Sequence, residues 1–335
     1  MLVNTPAFIA LESKNPGLFI RFKALVLIPV LYLFLVAAGG SFKLMAQWEP
    51  DMAAVPDIKN PAYPSGKGPV VLFDNAHHNK PEIDGLQSPF VELLRRDGYQ
   101  IRIAERRFDE QLLEGVDILV LINGIDERNL KNWKIPIHSA YSDDEISLIN
   151  RWVSSDGSLF LIAEHMPYAG AATDLAVTFG LYFNNGFCID QKTGAGTLTF
   201  SRSIGGITDH VITGGRSVTE RVNRVMAFGT QAFRAEPGAK VEPLLVLDND
   251  KILMLPEDGM RINRNSPWLH AGGWLVGAAL KYGKGRVAVF GDAAMFSAQV
   301  EGPDRKPTGF NVPEAKDNLN LALNVIHWLS GLLDK

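Results

Sequence analysis

Residues 69–79 read Pro-Val-Val-Leu-Phe-Asp-Asn-Ala-His-His-Asn. The apolar run at its start predicts a strand that is buried on both faces, as the strands of parallel sheets are. The polar residues that follow would lie at the carboxyl end of this strand, where open α/β sheets bind their ligands. We therefore expect a ligand-binding cluster made of Asp74, Asn75, His77, His78 and Asn79.

Strand and helix patterns alternate after this stretch. Ser88-Pro89 is typical of a helix start, and Ser142 with Glu145 forms a capping-box pattern. Apolar runs at 117–123 and 158–163 predict two further buried strands. This alternation predicts an α/β fold with a mainly parallel sheet, helices on both faces and right-handed crossovers.

The alternation stops between about residues 181 and 273. Short strand-like pieces predict an antiparallel insertion or extension of the sheet there, at 197–200, 225–228, 241–247 and 251–255. A hairpin is then expected over 273–290. The last helix is predicted to run from Pro313 to Leu333.

The composition is that of a globular protein. Of the 335 residues, 46% are hydrophobic and 21% are charged, and the net charge is -4. Nucleic acid is not an expected partner, because recognition of it needs a basic surface. The single cysteine, Cys188, excludes an intrachain disulfide.

The segment 24–42 carries no charge and is long enough to cross a bilayer. Arg21 and Lys23 precede it, which favours a cytoplasmic start and a membrane anchor. The alternative is a cleaved signal peptide, since small residues at 36–40 offer a cleavage site. Both interpretations place the body in the bacterial periplasm or cell envelope, where another envelope protein could be a partner.

These assignments define the expected domain organisation. Residues 1–23 would form a short tail, and the segment 24–42 the transmembrane helix or signal peptide. The Pro- and Gly-rich stretch 43–68 would form a linker. The folded domain would then cover 69–335.

Polar residues also follow three other predicted strands. Asn123 ends one, Glu164-His165 follows the next, and Asp292 follows the strand near 286–290. Because parallel strands point the same way, we expect these residues and the Asp74–Asn79 cluster to face one crevice.

The chemistry of this crevice has alternative interpretations. Glu164 and His165 could act as a general acid and base, or Glu164 could simply bond a helix N-terminus. Asp292 could face the ligand or cap the turn that follows it. The Asp74–Asn79 cluster could bind a polar ligand such as a sugar, could join Glu164, His165 and Asp292 around a metal, or could only stabilise its own loop.

Two stretches near the chain end resemble a known pattern. They are Gly-Asp-Ala-Ala-Met-Phe-Ser at 291–297 and, after Asn318, Asn-Val-Ile-His-Trp-Leu at 324–329. They resemble the class I glutamine amidotransferase-like superfamily, in a branch of exported or membrane proteins of bacteria. Gliding-motility and intraflagellar-transport components carry a similar domain. The resemblance implies a flavodoxin-like three-layer sandwich over roughly 69–180 and 274–333.

The sequence departs from this superfamily at the nucleophile. Glutamine amidotransferases use a cysteine on a tight strand-to-helix turn, and here Glu164 and His165 occupy that turn. Cys188 has a strand-like context instead, and no Gly-x-Ser-x-Gly, Gly-x-Gly-x-x-Gly or Walker motif is present.

Two functional classes therefore stay open. The first is an envelope module that binds a small polar or glycan ligand. The second is a hydrolase, with or without a metal, that uses Glu164 and His165 together with the Asp74–His78 cluster.

Overall fold

The computed structural model describes residues 48–79 and 82–334. The expected tail, the expected membrane or signal segment at 24–42 and the first residues of the expected linker lie outside this range. Among the residues that are described, no helix is both long and apolar enough to cross a membrane.

The strands, in chain order, are β1 Trp48–Pro50, β2 Val70–Asp74, β3 Gln100–Ala104, β4 Ile118–Ile122, β5 Ser158–Ile162, β6 Leu181–Tyr182, β7 Phe187–Asp190, β8 Thr197–Ser201, β9 Arg224–Phe228, β10 Arg234–Ala235, β11 Glu242–Val246, β12 Lys251–Met254, β13 Trp268–His270, β14 Leu275–Tyr282, β15 Gly285–Phe290, β16 Ala298–Glu301 and β17 Lys306–Gly309. The α-helices are α1 Ser88–Arg96, α2 Glu110–Leu113, α3 Asp143–Ser155, α4 Tyr168–Ala171, α5 Thr173–Val177, α6 Val211–Gly214 and α7 Asn318–Leu329. Short helical turns, such as Ala294–Phe296, join some of these elements.

A seven-stranded sheet in the order β11-β14-β15-β5-β4-β2-β3 forms the centre of the fold. The five strands from β15 to β3 are parallel to one another, and β14 and β11 extend the sheet antiparallel. Ile162 at the end of β5 aligns with both Ile122 of β4 and Phe290 of β15. The residues after these three strands therefore meet at one edge, and the prediction of a mainly parallel sheet with an antiparallel extension is confirmed.

Alternate residues of the sheet enter two separate cores. In β4, Val120 and Ile122 belong to a core with α1 and α7, whereas Leu119 and Leu121 belong to a core with α3. All five residues of β4 are fully buried. Such strands show no polar alternation in sequence, because both faces are covered. The helices accordingly form a layer on each side of the sheet.

The insertion is antiparallel, as expected. It contains the pairs β8-β9 and β6-β10 and the three-stranded sheet β13-β12-β7. The last helix is shorter than expected, since α7 covers 318–329 and short turns at 313–315 and 332–334 flank it. Gly331 ends it with a positive φ of 76°, a conformation that favours glycine.

The described part of the expected linker lies on the domain. Trp48 of β1 pairs with Glu301 of β16, and the Ala62 N–H donates to the Asp97 carboxylate at 2.7 Å. The Tyr63 ring meets the Tyr99 ring edge-on at 5.2 Å. A three-residue strand and isolated aromatic contacts leave no periodic signal in a sequence rich in proline and glycine.

The capping box at the start of α3 is present. The Ser142 hydroxyl accepts a hydrogen bond from the Glu145 N–H at 3.4 Å, and the Glu145 carboxylate accepts one from the Ser142 N–H at 3.1 Å. We expect Ser142→Ala to lower the free energy of unfolding by about 1 kcal/mol, measured by urea denaturation. Ser155→Ala, at the exposed end of the same helix, is the control. Equal effects of the two substitutions would contradict this role of Ser142.

Candidate functional site

Glu164 and Asn123 hold each other at the carboxyl ends of β5 and β4. The Asn123 side-chain amide donates to the Glu164 carboxyl at 2.5 Å, and the Glu164 N–H donates to Asn123 Oδ1 at 3.1 Å. Asn123 has a positive φ of 50°, which asparagine tolerates better than most residues. These two bonds fix the position of the Glu164 carboxyl group at the sheet edge.

Three carboxyl groups influence one another at this edge. Burial, followed by the negative charges of Glu82 and Asp292, raises the pKa of Glu164 well above 4.5, although the hydrogen bond from Asn123 acts in the opposite direction. Burial also raises the pKa of Glu82 to about 7 and that of Asp292 to about 6. Since like charges in a buried site do not all ionise together, the cluster retains protons near neutral pH.

Asp292 is itself sealed from solvent. Its Oδ1 accepts the Met295 N–H at 2.8 Å, and its Oδ2 accepts the Phe228 N–H at 2.5 Å. It therefore caps the short turn Ala294–Phe296. Its negative charge raises the pKa of Glu164, but both of its oxygens already accept hydrogen bonds from the backbone.

An aromatic wall adjoins the carboxyl groups, and His165 is at its centre. The His165 ring stacks on Phe187 at 4.3 Å between centroids and lies 6.0 Å from Trp133 and 6.2 Å from Tyr168. Tyr168 is close to the carboxyl groups as well as to the wall. Burial and the negative charges of Glu82 and Glu164 raise the pKa of its hydroxyl.

The tautomer of His165 follows from its hydrogen bond. Nδ1 lies 2.7 Å from the Met166 carbonyl oxygen, which can only accept, so Nδ1 carries the proton. Burial lowers the pKa of His165. The ring is therefore neutral near pH 7 and keeps a lone pair on Nε2.

Two buried amide oxygens near the carboxyl groups lack a partner among the described residues. Gln231 donates to the Ala163 carbonyl at 3.2 Å, directly before Glu164, and Gln87 donates to the Ala293 carbonyl at 3.2 Å, directly after Asp292. The Oε1 atoms of both glutamines accept no hydrogen bond from the described part of the chain. Buried acceptors are normally satisfied, so these two oxygens are exceptions to that pattern.

Asp74 and His77 belong to a different, buried network. His77 Nδ1 lies 2.9 Å from both Asp74 oxygens, and His77 Nε2 lies 3.0 Å from Glu145 Oε1. Burial alone would lower the pKa of His77, but its hydrogen bonds to the two carboxylates raise it to about 9. Burial would raise the pKa of Glu145, but its hydrogen bond with His77 and those from Ser142 lower it to about 2. This network joins the loop after β2 to the start of α3.

The remaining residues of the Asp74–Asn79 cluster have separate positions. The Asn79 amide donates to Asp74 and to the Ile122 carbonyl, both at 3.1 Å, and so connects the loop to β4. Asn75 is half-buried. His78 is exposed and, together with His77, Arg107 and Arg128, lines a cleft of about 310 Å³.

We compared the chain with known proteins. No family model matches the sequence, and no curated protein matches it. Among solved structures, the mmIFT52 N-terminal domain superposes with a TM-score of 0.54 at 12% identity, over 78% of this chain and 97% of that one. The likeness establishes the fold alone.

Two other solved structures are similar at a lower level. A ThuA-like protein from Bacteroides uniformis has a TM-score of 0.44 and 12% identity, over 82% of this chain and 94% of that one. A GMP synthase component from Thermoplasma acidophilum has a TM-score of 0.36 and 12% identity, over 80% of this chain and 96% of that one.

The structure brings only part of the expected site together. Asn123, Glu164, His165 and Asp292 follow neighbouring strands at one edge of the sheet, whereas Asp74, His77 and Asn79 form a separate buried network. His78 lines a cleft beside that network. Ligand contact by these residues stays a prediction. Among the described residues, no three or more His, Cys, Asp or Glu side chains are placed to hold a metal ion.

Sequence reasoning missed five residues near Glu164 and His165, namely Glu82, Trp133, Tyr168, Phe187 and Gln231. Tyr168 could have been found, because it continues the turn that begins with Glu164. The other four come from loops and from the insertion, and no local pattern places them beside β5. We call the group of neighbouring side chains made of Glu82, Asn123, Glu164, His165 and Tyr168 the carboxyl crevice.

Proposed function

We propose that the chain is a flavodoxin-like, amidotransferase-like domain that has lost the catalytic cysteine and binds a small polar ligand, a sugar, in the carboxyl crevice. The observation that carries the proposal is the position of the Glu164 carboxyl, fixed by Asn123 next to other carboxyl groups and an aromatic wall. Ligand sites combine apolar walls with a few convergent polar groups in this way.

A hydroxyl-rich neutral ligand suits the charges and hydrogen-bonding groups of the crevice. A protonated Glu164 can donate a hydrogen bond to a ligand oxygen. An anionic ligand would be repelled by Glu82 and Asp292 where these are ionised. The faces of His165 and Tyr168 offer apolar contact to a sugar ring.

Cysteine-dependent glutamine hydrolysis is not part of this proposal. Cys188 is the chain's single cysteine. It lies in β7 with 1% of its surface exposed, and burial raises the pKa of its thiol to about 12. A buried neutral thiol is inert as a nucleophile.

Variants of Glu164 test the proposal. We expect Glu164→Gln to retain binding, because the amide also donates a hydrogen bond, and Glu164→Ala to weaken it about tenfold, as loss of one such bond would. The measurement is calorimetric titration with a panel of monosaccharides, with Glu105→Gln as an exposed control.

The pH dependence of the same titration separates ligand classes. A sugar that accepts a hydrogen bond from protonated Glu164 should bind less tightly as pH rises through the pKa of Glu164. A cationic ligand would show the opposite trend, since ionised carboxylates attract it. Tighter binding at high pH, or unchanged binding by Glu164→Ala, would contradict the proposal.

Hydrolysis is the second candidate, favoured by the opposite pKa shifts of Glu164 and His165. Burial raises the pKa of Glu164 and lowers that of His165, so an acid and a base are adjacent in the chain. Turnover of p-nitrophenyl esters and glycosides by the wild type, lost in His165→Ala, would support it. If none of these substrates is hydrolysed, binding is the proposed function that remains.

We also propose that the domain lies outside the cytoplasm. The support is the uncharged segment 24–42, preceded by Arg21 and Lys23. A fusion of alkaline phosphatase after Lys335 should then be active in a bacterial host. An inactive fusion that is produced at a normal level would contradict this location.

A further inference from the structure

A cleft of about 310 Å³ lies at the carboxyl ends of β2, β3 and β4. It is lined by residues 76–78 after β2, by Arg107 after β3 and by residues 125–128 after β4. The Ile125 N–H donates to the His77 carbonyl at 3.0 Å and so joins the first and third of these loops. None of the five residues of the carboxyl crevice lines this cleft, which makes it a second, separate cavity at the same end of the strands.

The path of the chain across the sheet reverses at this cleft. From β2 the chain passes through α1 to β3 on one side, and from β3 it crosses to β4 on the other side of β2 and continues to β5. The helices change face at the same point, since α1 packs in one core and both α2 and α3 pack in the other. The loops after β2 and β4 therefore diverge, and open α/β sheets bind ligands at such a switch point. We call this cavity the switch-point cleft.

Three side chains with unused hydrogen-bond donors line the switch-point cleft, and each comes from a different loop. Arg107 donates through Nη1 to Glu145 at 3.3 Å. Arg128 donates through Nε and Nη2 to Asp126 at 2.6 and 3.1 Å. The other N–H groups of both guanidinium groups make no hydrogen bond within the described part of the chain. The exposed imidazole of His78 likewise has no partner among the described residues.

The carboxylates at the switch-point cleft are mostly engaged already. Behind its wall, Asp74 and Glu145 hold the imidazolium of His77 between them. Of the two carboxylates that line the cleft, Asp126 forms an ion pair with the second arginine and Glu127 is exposed. The groups that remain free for a ligand are therefore mainly donors, and two of them belong to permanently charged guanidinium groups.

We propose that the switch-point cleft binds the phosphate group of a small organic phosphate ester, held by His78, Arg107 and Arg128. Guanidinium groups match phosphate oxygens in bidentate geometry. A phosphate monoester has three terminal oxygens that accept hydrogen bonds, one for each of the three loops, whereas a carboxylate has two. The cleft volume is at the lower end of the range for small-molecule sites, as a small ester requires.

Calorimetric titration of the whole protein tests this site. The probes are inorganic phosphate and glycerol 3-phosphate, with glycerol as the uncharged counterpart of the ester and glycerate as its carboxylate counterpart. We expect the ester to bind more tightly than glycerol and glycerate. Arg107→Ala and Arg128→Ala should each weaken its binding about tenfold, as loss of a charge-assisted hydrogen bond would.

Arg106→Ala is the matched control, because Arg106 is exposed and adjacent to Arg107 in sequence but does not line the cleft. It should leave binding unchanged. Thermal unfolding verifies that each variant is folded. Arg107 contacts the buried Glu145, so Arg128→Ala, in an exposed loop position, decides the test if Arg107→Ala does not fold.

Four results would overturn the inference. The first is that neither inorganic phosphate nor the ester binds more tightly than glycerol, and the second is that binding survives both arginine substitutions. Tighter binding of glycerate than of the ester would assign the cleft to a carboxylate. Weaker binding in Glu127→Gln, which removes a negative charge from the cleft, would show that the charge of the ester is not what the cleft recognises.

The result for this cleft is independent of the result for the carboxyl crevice. Glu164→Gln should leave binding of the phosphate ester unchanged. Ester binding without any sugar binding would overturn the proposed function alone, and sugar binding without ester binding would overturn this inference alone.

Discussion

Replacing His77 by alanine should lower the free energy of unfolding by about 3–5 kcal/mol, as removal of one partner from a buried ion pair does. His77 is 3% exposed and lies between Asp74 and Glu145, which are also buried. Without the imidazolium, two carboxylates would face each other in an apolar region between Phe108 and Tyr141. Urea denaturation near pH 6 measures the loss.

The pH dependence of stability should identify this network. The folded pKa of His77 is raised from 6.5 to about 9, so its contribution is complete below pH 6.5 and is lost as pH rises through about 9. The folded pKa of Glu145 is lowered from 4.5 to about 2, so its contribution is complete above pH 4.5 and is lost as pH falls through about 2.

His78→Asn is the control for His77. It removes an exposed imidazole next in sequence and keeps a residue that tolerates the positive φ of 57° at that position. We expect little change in stability from it. A His77→Ala variant that retains the wild-type decline in stability between pH 6.5 and 9 would contradict the role of His77.

Glu164→Gln should make the protein more stable at pH 8, because the fold disfavours the ionised form of the Glu164 carboxyl. The folded pKa of Glu164 lies well above its unfolded value of 4.5. Its contribution to stability is therefore complete below pH 4.5 and is lost as pH rises through the folded pKa. Glutamine has the shape of the protonated acid and no charge to lose.

The gain from Glu164→Gln should disappear at pH 4, where the wild-type carboxyl is protonated in the folded protein. Chemical denaturation at both pH values measures it, and Glu105→Gln, which alters an exposed carboxylate, should give no such difference. Substitution of a functional residue often increases stability, because functional sites are maintained at a cost in stability. A loss of stability at pH 8 would mean that the Glu164 carboxylate is stabilised in the fold.

The central fold was predictable because its signals are local. Strands β4 and β5 are uninterrupted apolar runs, and the capping box of α3 lies within four consecutive residues. Strand β1 was not predicted, because its three residues are too few to show an alternating hydrophobic pattern. The packing of residues 48–68 on the domain depends on partners that are distant in sequence, such as Asp97 and Glu301.

The candidate site was predictable only where a residue lies within two positions of the end of a strand, as Asn123, Glu164 and Asp292 do. The role of Glu145 shows the limit, because its sequence context indicates a helix cap and gives no sign of its contact with His77. Glu82, Trp133 and Phe187 reach the crevice from loops and from the insertion, and their positions follow from tertiary packing.

The central claim is that the carboxyl crevice keeps Glu164 protonated near neutral pH so that it can donate a hydrogen bond. The direct test is a titration of the Glu164 side-chain carboxyl carbon by NMR in labelled protein, assigned by comparison with Glu164→Gln. The account predicts a midpoint well above 4.5. A midpoint at or below 4.5 would contradict it, because Glu164 would then be an ordinary carboxylate at neutral pH.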